Sequence, residues 1–249
     1  MIDMRPIYLD AYFQEALQKF HNKLPQECHK TTDCDWSLFK DAFLKFSKYK
    51  CPICEDRIRS YDDIDHFRPK EEALYPFLKC CYQNYMVMCS TCNRFYKKSN
   101  FPLLHLIQKA TSVTELKNEK PLLVNPMHDD IFELFQLEFI VSNKNNKKML
   151  VVAPKDGIDD ESKQKAQATI KLYGIGNCDD NDKIDDYRID LLEIHYDQFI
   201  KLAERAKKYF EHKTPQNKNL LAQEIKEKQS FEKYGFIHFI YKGQFKIAT

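Results

Sequence analysis

The fold is decided by two matching stretches of the chain, Cys51-Pro-Ile-Cys54 and Cys89-Ser-Thr-Cys92. In each stretch the CxxC spacing places two thiolates close enough to bind one tetrahedral zinc ion. The insertion between them, residues 55–88, is longer than the roughly 15 to 20 residues that separate the pairs of a common zinc ribbon. We therefore predict a structural Zn²⁺ bound by these four cysteines, with a functional segment inserted between its two halves.

The composition is that of a folded protein with little net charge. The 249 residues include 39 basic and 37 acidic side chains, so the formal net charge is +2. Any nucleic-acid site must therefore come from local clusters of basic residues. No run approaches the roughly 20 apolar residues that cross a bilayer, and the first residues lack the pattern of a signal peptide. We expect a cytoplasmic protein with no membrane partner.

The cysteine content favours metal binding over disulfide bonds. The chain has nine cysteines, an odd number, and a reducing cytoplasm disfavours disulfides. Five of them lie outside the CxxC pairs and are interpreted as packing residues: Cys28, Cys34, Cys80, Cys81 and Cys178. Cys80 and Cys81 lie close enough to the second pair in sequence to be alternative ligands.

Helical periodicity precedes the cysteine-rich region. Apolar residues spaced by three and four predict a helix over residues 9–24, ended by Pro25. The same spacing predicts a second helix over residues 36–46, capped by Asp33 or Asp35. The chain therefore enters the first CxxC pair from a helical segment.

Strands are predicted at two places in the chain. Residues 60–67 alternate in a way that favours a strand, and residues 137–154 favour a β-hairpin around an Asn- and Lys-rich turn. Helical periodicity returns over residues 166–173 and 184–202. We expect an α+β fold in three parts: a helical segment 1–50, a cysteine-rich core 51–102, and a mainly helical region 103–249 that binds a partner or substrate.

The inserted segment contains an adjacent acid and imidazole, Asp65 and His66. Neighbouring residues on a strand point to opposite faces, so the two side chains can have separate tasks. A carboxylate can hold a hard divalent cation, and an imidazole can activate a water molecule. Asp62 or Asp63 would be the acidic ligand instead if the strand register were shifted by two residues.

With His66, Asn84 and Asn93 give the order His, Asn, Asn after a CxxC pair. The segments YKCPICEDRIRSYDDIDHFRPK and QNYMVMCSTCNRFYKKSNFPL resemble the zinc-stapled HNH endonucleases, whose core is a ββα-metal fold. HFRPK, LLVNPMHDD and ATIKLYGIGN are similar to PtuB, the HNH subunit of Septu anti-phage systems, which has relatives in retron systems. The first match covers about residues 51–102, and the second extends over most of the chain.

The resemblance implies a role for each residue of the motif. His66 would be the general base, and Asp65 and Asn93 would hold a catalytic Mg²⁺ or Mn²⁺. Asn84 would fasten the loop that orients His66. Asn93 stands where the motif name has a histidine, and its neutral oxygen suits a hard cation such as Mg²⁺. The predicted nucleic-acid contacts are the basic residues nearby: Arg68, Lys70, Arg94, Lys97 and Lys98.

These observations lead to an expected function with alternatives. The resemblance implies an endonuclease that hydrolyses phosphodiester bonds, with DNA as the first expected target and RNA such as tRNA as the other. It also implies an anti-phage complex with a separate P-loop ATPase subunit resembling PtuA, joined in some relatives by a retron reverse transcriptase and its DNA. The chain has no P-loop motif of its own. A catalytically silent zinc-knuckle scaffold and a stand-alone restriction-type nuclease are the alternatives.

Overall fold

Two compact units make up the computed structural model, which describes residues 1–23, 34–105 and 109–227. Unit 1 comprises Met1–Gln136 and Ala153–Tyr173, and unit 2 comprises Leu137–Val152 and Gly174–Thr249. The described residues form both helices and strands, as the α+β prediction requires. Both boundaries predicted from the sequence, at residues 50 and 102, fall inside unit 1.

The amino-terminal helices of unit 1 form an aromatic core. Helix α1 spans Ala11–Lys23, and a 3-10 turn over Trp36–Phe39 runs directly into helix α2, Lys40–Phe46. These elements confirm the two predicted helices, although Pro25 and Asp33 lie outside the described residues. The ring centroids of Phe13 and Phe39 are 5.3 Å apart, and both rings are fully buried. Burial of such large rings stabilises this corner of the unit.

A small sheet lies at the centre of the cysteine-rich region. Strand β1, Ile64–His66, pairs antiparallel with strand β2, Tyr85–Val87, and His66 lies opposite Tyr85. This confirms the strand predicted within residues 60–67. A π-helical turn over Thr91–Lys97 follows β2 and is closed by a hydrogen bond from the Lys98 amide to the Asn93 carbonyl, 2.7 Å long. Such turns are rare and occur often at functional sites.

Two further helices complete unit 1. Helix α3 spans Ile131–Leu134, and helix α4 spans Asp160–Tyr173 and ends at Gly174, whose φ of 63° suits a residue without a side chain. The predicted helix over residues 166–173 is thus confirmed as the end of α4. The Thr169 hydroxyl accepts a 2.8 Å hydrogen bond from the Val124 amide, which ties α4 to an otherwise irregular segment.

Unit 2 is built on a hairpin and two helices. Strands β3, Phe135–Val141, and β4, Lys148–Pro154, pair with each other and confirm the predicted hairpin. Helix α5 spans Asp186–Glu211 and helix α6 spans Pro215–Glu227. The hairpin and α5 share an apolar core made of Leu150, Phe199, Leu202, Ala203 and Ala206. No helix among the described residues is long and apolar enough to cross a membrane.

Short 3-10 segments connect these elements. They span Arg5–Leu9, Pro76–Leu78, Tyr82–Asn84, Val113–Asn118 and Cys178–Asp180, in addition to Trp36–Phe39. Of these six segments among the described residues, three lie within residues 36–84, where the chain turns around β1 and β2. The cysteine-rich region is therefore held by turns rather than by long helices or strands.

The packing role predicted for Cys34, Cys80 and Cys81 is wrong, because all three are disulfide-bonded. Cys34 and Cys80, interpreted as packing residues, form a disulfide bond. Their Cα atoms are 5.3 Å apart, within the range of about 4.4 to 6.8 Å that disulfides require. The two residues are 46 positions apart, so their proximity depends on tertiary contacts that spacing does not reveal. Cys178 is buried and free, as a packing residue should be, and Cys28 lies outside the described residues.

Candidate metal centre and adjoining cavity

The four cysteines of the CxxC pairs meet at one point in unit 1. Their sulfur atoms all lie within 4.8 Å of one another, and all four residues are buried. A tetrahedral zinc ion with Zn–S bonds of about 2.3 Å would separate its ligands by roughly 3.8 Å. The sulfur atoms of Cys54 and Cys89 are 3.6 Å apart, close to that value. The cluster therefore fits a metal ion such as zinc, and its four sulfur ligands would leave no open coordination position.

Backbone hydrogen bonds shape the loops that carry these cysteines. In the first loop, the Cys51 amide donates to the Asp56 carbonyl and the Glu55 amide donates to the Cys51 carbonyl, both at 2.8 Å. In the second, the Asn93 amide donates to the Cys89 carbonyl at 2.9 Å. This bond ties Asn93, within the π-helical turn, to the loop that carries Cys89 and Cys92.

Asp62 joins the two loops. Its buried carboxylate accepts the Ser90 amide at 2.8 Å through Oδ1 and the Arg59 amide at 2.6 Å through Oδ2. This arrangement gives Asp62 a structural task and does not favour it as the acidic ligand of a second metal. Asp63, the other alternative, is exposed and forms an ion pair with Arg94.

A cavity of about 630 Å³ opens between β1 and the π-helical turn. It brings together side chains from three separate parts of the chain: Trp36, Asp63, Ile64, Asp65, His66, Pro69, Lys70, Glu71, Asn93, Arg94, Lys97, Lys98 and Ser99. Seven of the residues predicted for the site line it, whereas Asn84 and Arg68 do not. Its volume lies in the usual range for small-ligand sites.

The hydrogen bonding of His66 determines which ring nitrogen can act as a base. Its Nε2 lies 2.9 Å from the Lys79 carbonyl oxygen, which can only accept, so we assign the proton to Nε2. In the neutral ring Nδ1 then carries the lone pair. Burial, reinforced by the positive charges of Lys70 and Lys97, lowers the pKa of His66 to about 4. The imidazole is therefore neutral at neutral pH.

Lys97, predicted to contact nucleic acid, is buried against Asp65 and His66. Its Nζ lies 2.9 Å from Oδ2 of Asp65 and 2.8 Å from the carbonyl oxygen of His66, and its side chain is only 1% exposed. Burial raises the pKa of Asp65, and the Lys97 charge opposes that shift. This placement does not favour the predicted contact of Lys97 with nucleic acid, because its ammonium group is already paired inside the protein. Lys97 instead fastens the π-helical turn to β1.

Asn84 fastens the segment that follows His66. Its Oδ1 accepts the Arg68 amide at 2.8 Å, and its Nδ2 donates to the Arg68 carbonyl at 2.9 Å. The Phe67 amide also donates to the Asn84 carbonyl at 2.8 Å. These bonds fix the chain directly after the imidazole without placing Asn84 in the cavity.

The remaining basic residues divide into two groups. The Nε atom of Arg68 lies 3.0 Å from Oε2 of the buried Glu119, so Arg68 supports the fold. Arg94 and Lys98 are exposed at the rim of the cavity, and Lys70 lies over the ring of Trp36 with its Nζ 4.2 Å from the centroid. Lys70, Arg94 and Lys98 are therefore the cations best placed to meet a phosphate.

The sequence did not indicate two contributions to the site. Trp36, interpreted there as a helix-face residue, lies with its ring centroid 5.6 Å from that of His66. The other is the pairing of Lys97 with Asp65. The spacing of Lys97, four residues after Asn93, could have suggested it, since residues four apart share a helix face. The position of Trp36 had no such local signal.

Comparison with known proteins gives one informative match. No family model matches the chain, and no solved structure is significantly similar to it. The chain is 31% identical over 166 residues to Septu protein PtuB of Bacillus mycoides (strain KBAB4). The match covers 61% of this chain and 50% of that protein, so the chain spans about half the length of the curated relative it matches. The similarity supports a relationship to PtuB.

Proposed function

We propose that the chain is a metal-dependent HNH endonuclease with a structural zinc ion, built on a ββα-metal core. One observation carries the proposal: His66, Asp65 and Asn93 line the same cavity beside the cysteine cluster. A base, an acidic ligand and a neutral oxygen ligand are the groups that hydrolysis of a phosphodiester by one cation requires.

The side chains fit a hard divalent cation. Lys97 engages Oδ2 of Asp65, so a cation would use the other carboxylate oxygen together with the amide oxygen of Asn93. Mg²⁺ or Mn²⁺ bound there would supply positive charge against the phosphate during hydrolysis. The second metal centre is thus proposed at residues that the cysteine loop positions.

The protein residues would perform the proton transfer and orient the substrate. His66 Nδ1 takes a proton from the attacking water, the water oxygen bonds to phosphorus, and the bond from phosphorus to the leaving oxygen breaks. The Lys79 carbonyl keeps the proton on Nε2, so that Nδ1 stays the acceptor. Lys70, Arg94 and Lys98 hold the phosphate backbone at the cavity. Asn84 keeps His66 in position through Arg68.

The similarity to PtuB supports a role within a complex. We propose that the chain is the effector nuclease of a Septu-like defence complex with a separate ATPase subunit resembling PtuA, and DNA is its proposed target. A retron reverse transcriptase and its DNA are further proposed partners. Residues 103–249 are the proposed partner- or substrate-binding region.

A catalytically silent scaffold is the second candidate. The observation in its favour is the ion pair of Lys97 with Asp65, which neutralises the carboxylate without any divalent cation. A site that never bound a cation would preserve such a pair. The two candidates differ in whether the complex hydrolyses nucleic acid.

The decisive experiment co-expresses the chain with the gene beside it and tests the purified complex on DNA and RNA, with Mg²⁺ and with EDTA. We expect cleavage that requires the cation and falls by about 10²- to 10⁴-fold in His66→Ala. His105→Ala, which changes an exposed histidine of unit 1 that does not line the cavity, is the matched control and should cleave normally. Cleavage that survives in His66→Ala would assign the activity elsewhere, and a complex that never cleaves would favour the scaffold.

A further inference from the structure

Trp36 forms a wall of the cavity although it lies outside the predicted nuclease core. It is the single tryptophan of the chain, it is half-buried, and it lines the cavity together with Asp65 and His66. Its ring meets that of His66 edge-on, at an interplanar angle of 81°. The ammonium of Lys70 lies over its face. An aromatic face, a cation and the proposed base thus share one small space.

The indole is held by a rigid frame. Trp36 begins the 3-10 turn whose last residue, Phe39, is fully buried and stacks on Tyr82 with an interplanar angle of 14°. Two residues before Trp36, the disulfide from Cys34 reaches Cys80, which directly follows the carbonyl group that holds His66. The frame therefore fixes the indole relative to the imidazole, as a site that positions a ligand requires.

We infer that Trp36 is the stacking platform for an unpaired nucleobase next to the scissile phosphate, an inference that rests on the proposed nuclease function. A phosphate in the cavity would attract the Lys70 ammonium away from the indole, and the base of the same nucleotide would take its place on the ring. The cavity of about 630 Å³ has room for one nucleotide. Stacking on an aromatic side chain is available to every base, because every base has a flat π-face.

The inference names the substrate class. A base inside a duplex is already stacked on both faces, so it can stack on Trp36 only after it leaves the helix. Single-stranded nucleic acid, or a loop with unpaired nucleotides, would bind without that unstacking. We therefore assign to the site a preference for unpaired over paired nucleotides.

Tryptophan fluorescence tests this directly, since Trp36 is the chain's single tryptophan. The full chain is titrated without added Mg²⁺, with a single-stranded oligonucleotide and with the matching duplex, and affinity is measured in parallel by fluorescence anisotropy of a labelled strand. We expect the single strand to quench Trp36 and to bind more tightly than the duplex. Trp36→Ala should lower the single-strand affinity by about 5- to 150-fold, whereas Trp36→Phe should retain most of it.

Phe95→Ala is the matched control. Phe95 is an exposed aromatic residue, 56% accessible, on the π-helical turn, but it does not line the cavity. Its removal should leave the preference for single strands unchanged. If Trp36→Ala fails to fold, the quenching of the unmodified chain and the affinity of Trp36→Phe decide the question.

Three results would overturn the inference: no quenching at saturation, no binding of the single strand, or an equal loss of single-strand and duplex affinity in Trp36→Ala. A cleavage assay with Mg²⁺ on the same preparations separates this inference from the proposed function. Cleavage without quenching would support the nuclease function and contradict the stacking role of Trp36. Quenching without cleavage would support the platform and count against the nuclease.

Discussion

The cysteine cluster and the neighbouring cavity are built from overlapping parts of unit 1 by different physical means. The cluster uses four identical donors, all buried, from two short loops of the same spacing. The cavity uses acidic, basic, amide and aromatic side chains from three separated segments, and several of them remain exposed. The candidate metal cluster is therefore determined by two short motifs, whereas the candidate site in the cavity depends on how distant segments meet.

The largest effect is expected from removing a cluster ligand. Cys92→Ser should release the metal and unfold the cysteine-rich region, because structural zinc contributes about 10 to 16 kcal/mol of apparent binding free energy in zinc-finger peptides. Metal analysis of the purified chain should find zinc in the unmodified protein and little in the variant. A thermal melt should show loss of the cooperative transition of unit 1.

Cys178→Ser provides the control for this change. Cys178 is equally buried and equally free, but it belongs to the core of unit 2. This variant should retain its zinc. Zinc content that stays normal in Cys92→Ser would mean that the cluster is not the metal site.

A smaller effect is expected from breaking the ion pair inside the cavity. Lys97→Met keeps the length of the side chain but leaves the largely buried Asp65 carboxylate without its counter-charge, which should destabilise the fold by about 3 to 5 kcal/mol. Urea denaturation at neutral pH measures the change. Lys98→Met, at the exposed neighbouring position, should leave the urea midpoint nearly unchanged. Equal stability of the two variants would contradict the structural task given to Lys97.

The smallest effect on stability is expected at the rim of the cavity. Arg94 and Asp63 form an ion pair between exposed side chains, 64% and 56% accessible, and such pairs contribute little. Arg94→Gln should therefore leave the urea midpoint unchanged. If Arg94 meets a phosphate, the variant should bind nucleic acid more weakly, and the slope of log affinity against log salt should fall in magnitude by about 0.7 on a single strand. An unchanged slope would remove Arg94 from the proposed interface.

The sequence predicted what is local. The cysteine cluster follows from two CxxC spacings, and the hairpin of residues 137–154 and the helix ending at Tyr173 follow from alternating and helical periodicity. Asp65, His66 and Asn93 were also named together, and the structure places all three at one cavity. For the hairpin and the helix the signal is a short pattern whose meaning does not depend on distant residues, whereas the three cavity residues are named together by the resemblance to HNH endonucleases.

Contacts between distant residues could not be predicted in this way. Arg68 was expected to contact nucleic acid, but its partner Glu119 lies 51 positions further along the chain. The Cys34–Cys80 disulfide and the position of Trp36 likewise depend on how the aromatic core packs. A periodic pattern can place Trp36 on a helix face, but it carries no information about the imidazole that the ring will meet.

The most direct test of the account is the cleavage rate of Asn93→Ala, measured together with its zinc content and melting temperature. Asn93 follows the last cysteine ligand and lines the cavity, so it lies where the two sites meet. We expect normal zinc and normal melting with cleavage abolished, unlike Cys92→Ser, which should lose all three. Cleavage at the normal rate by Asn93→Ala, or unfolding as severe as that of Cys92→Ser, would contradict this expectation.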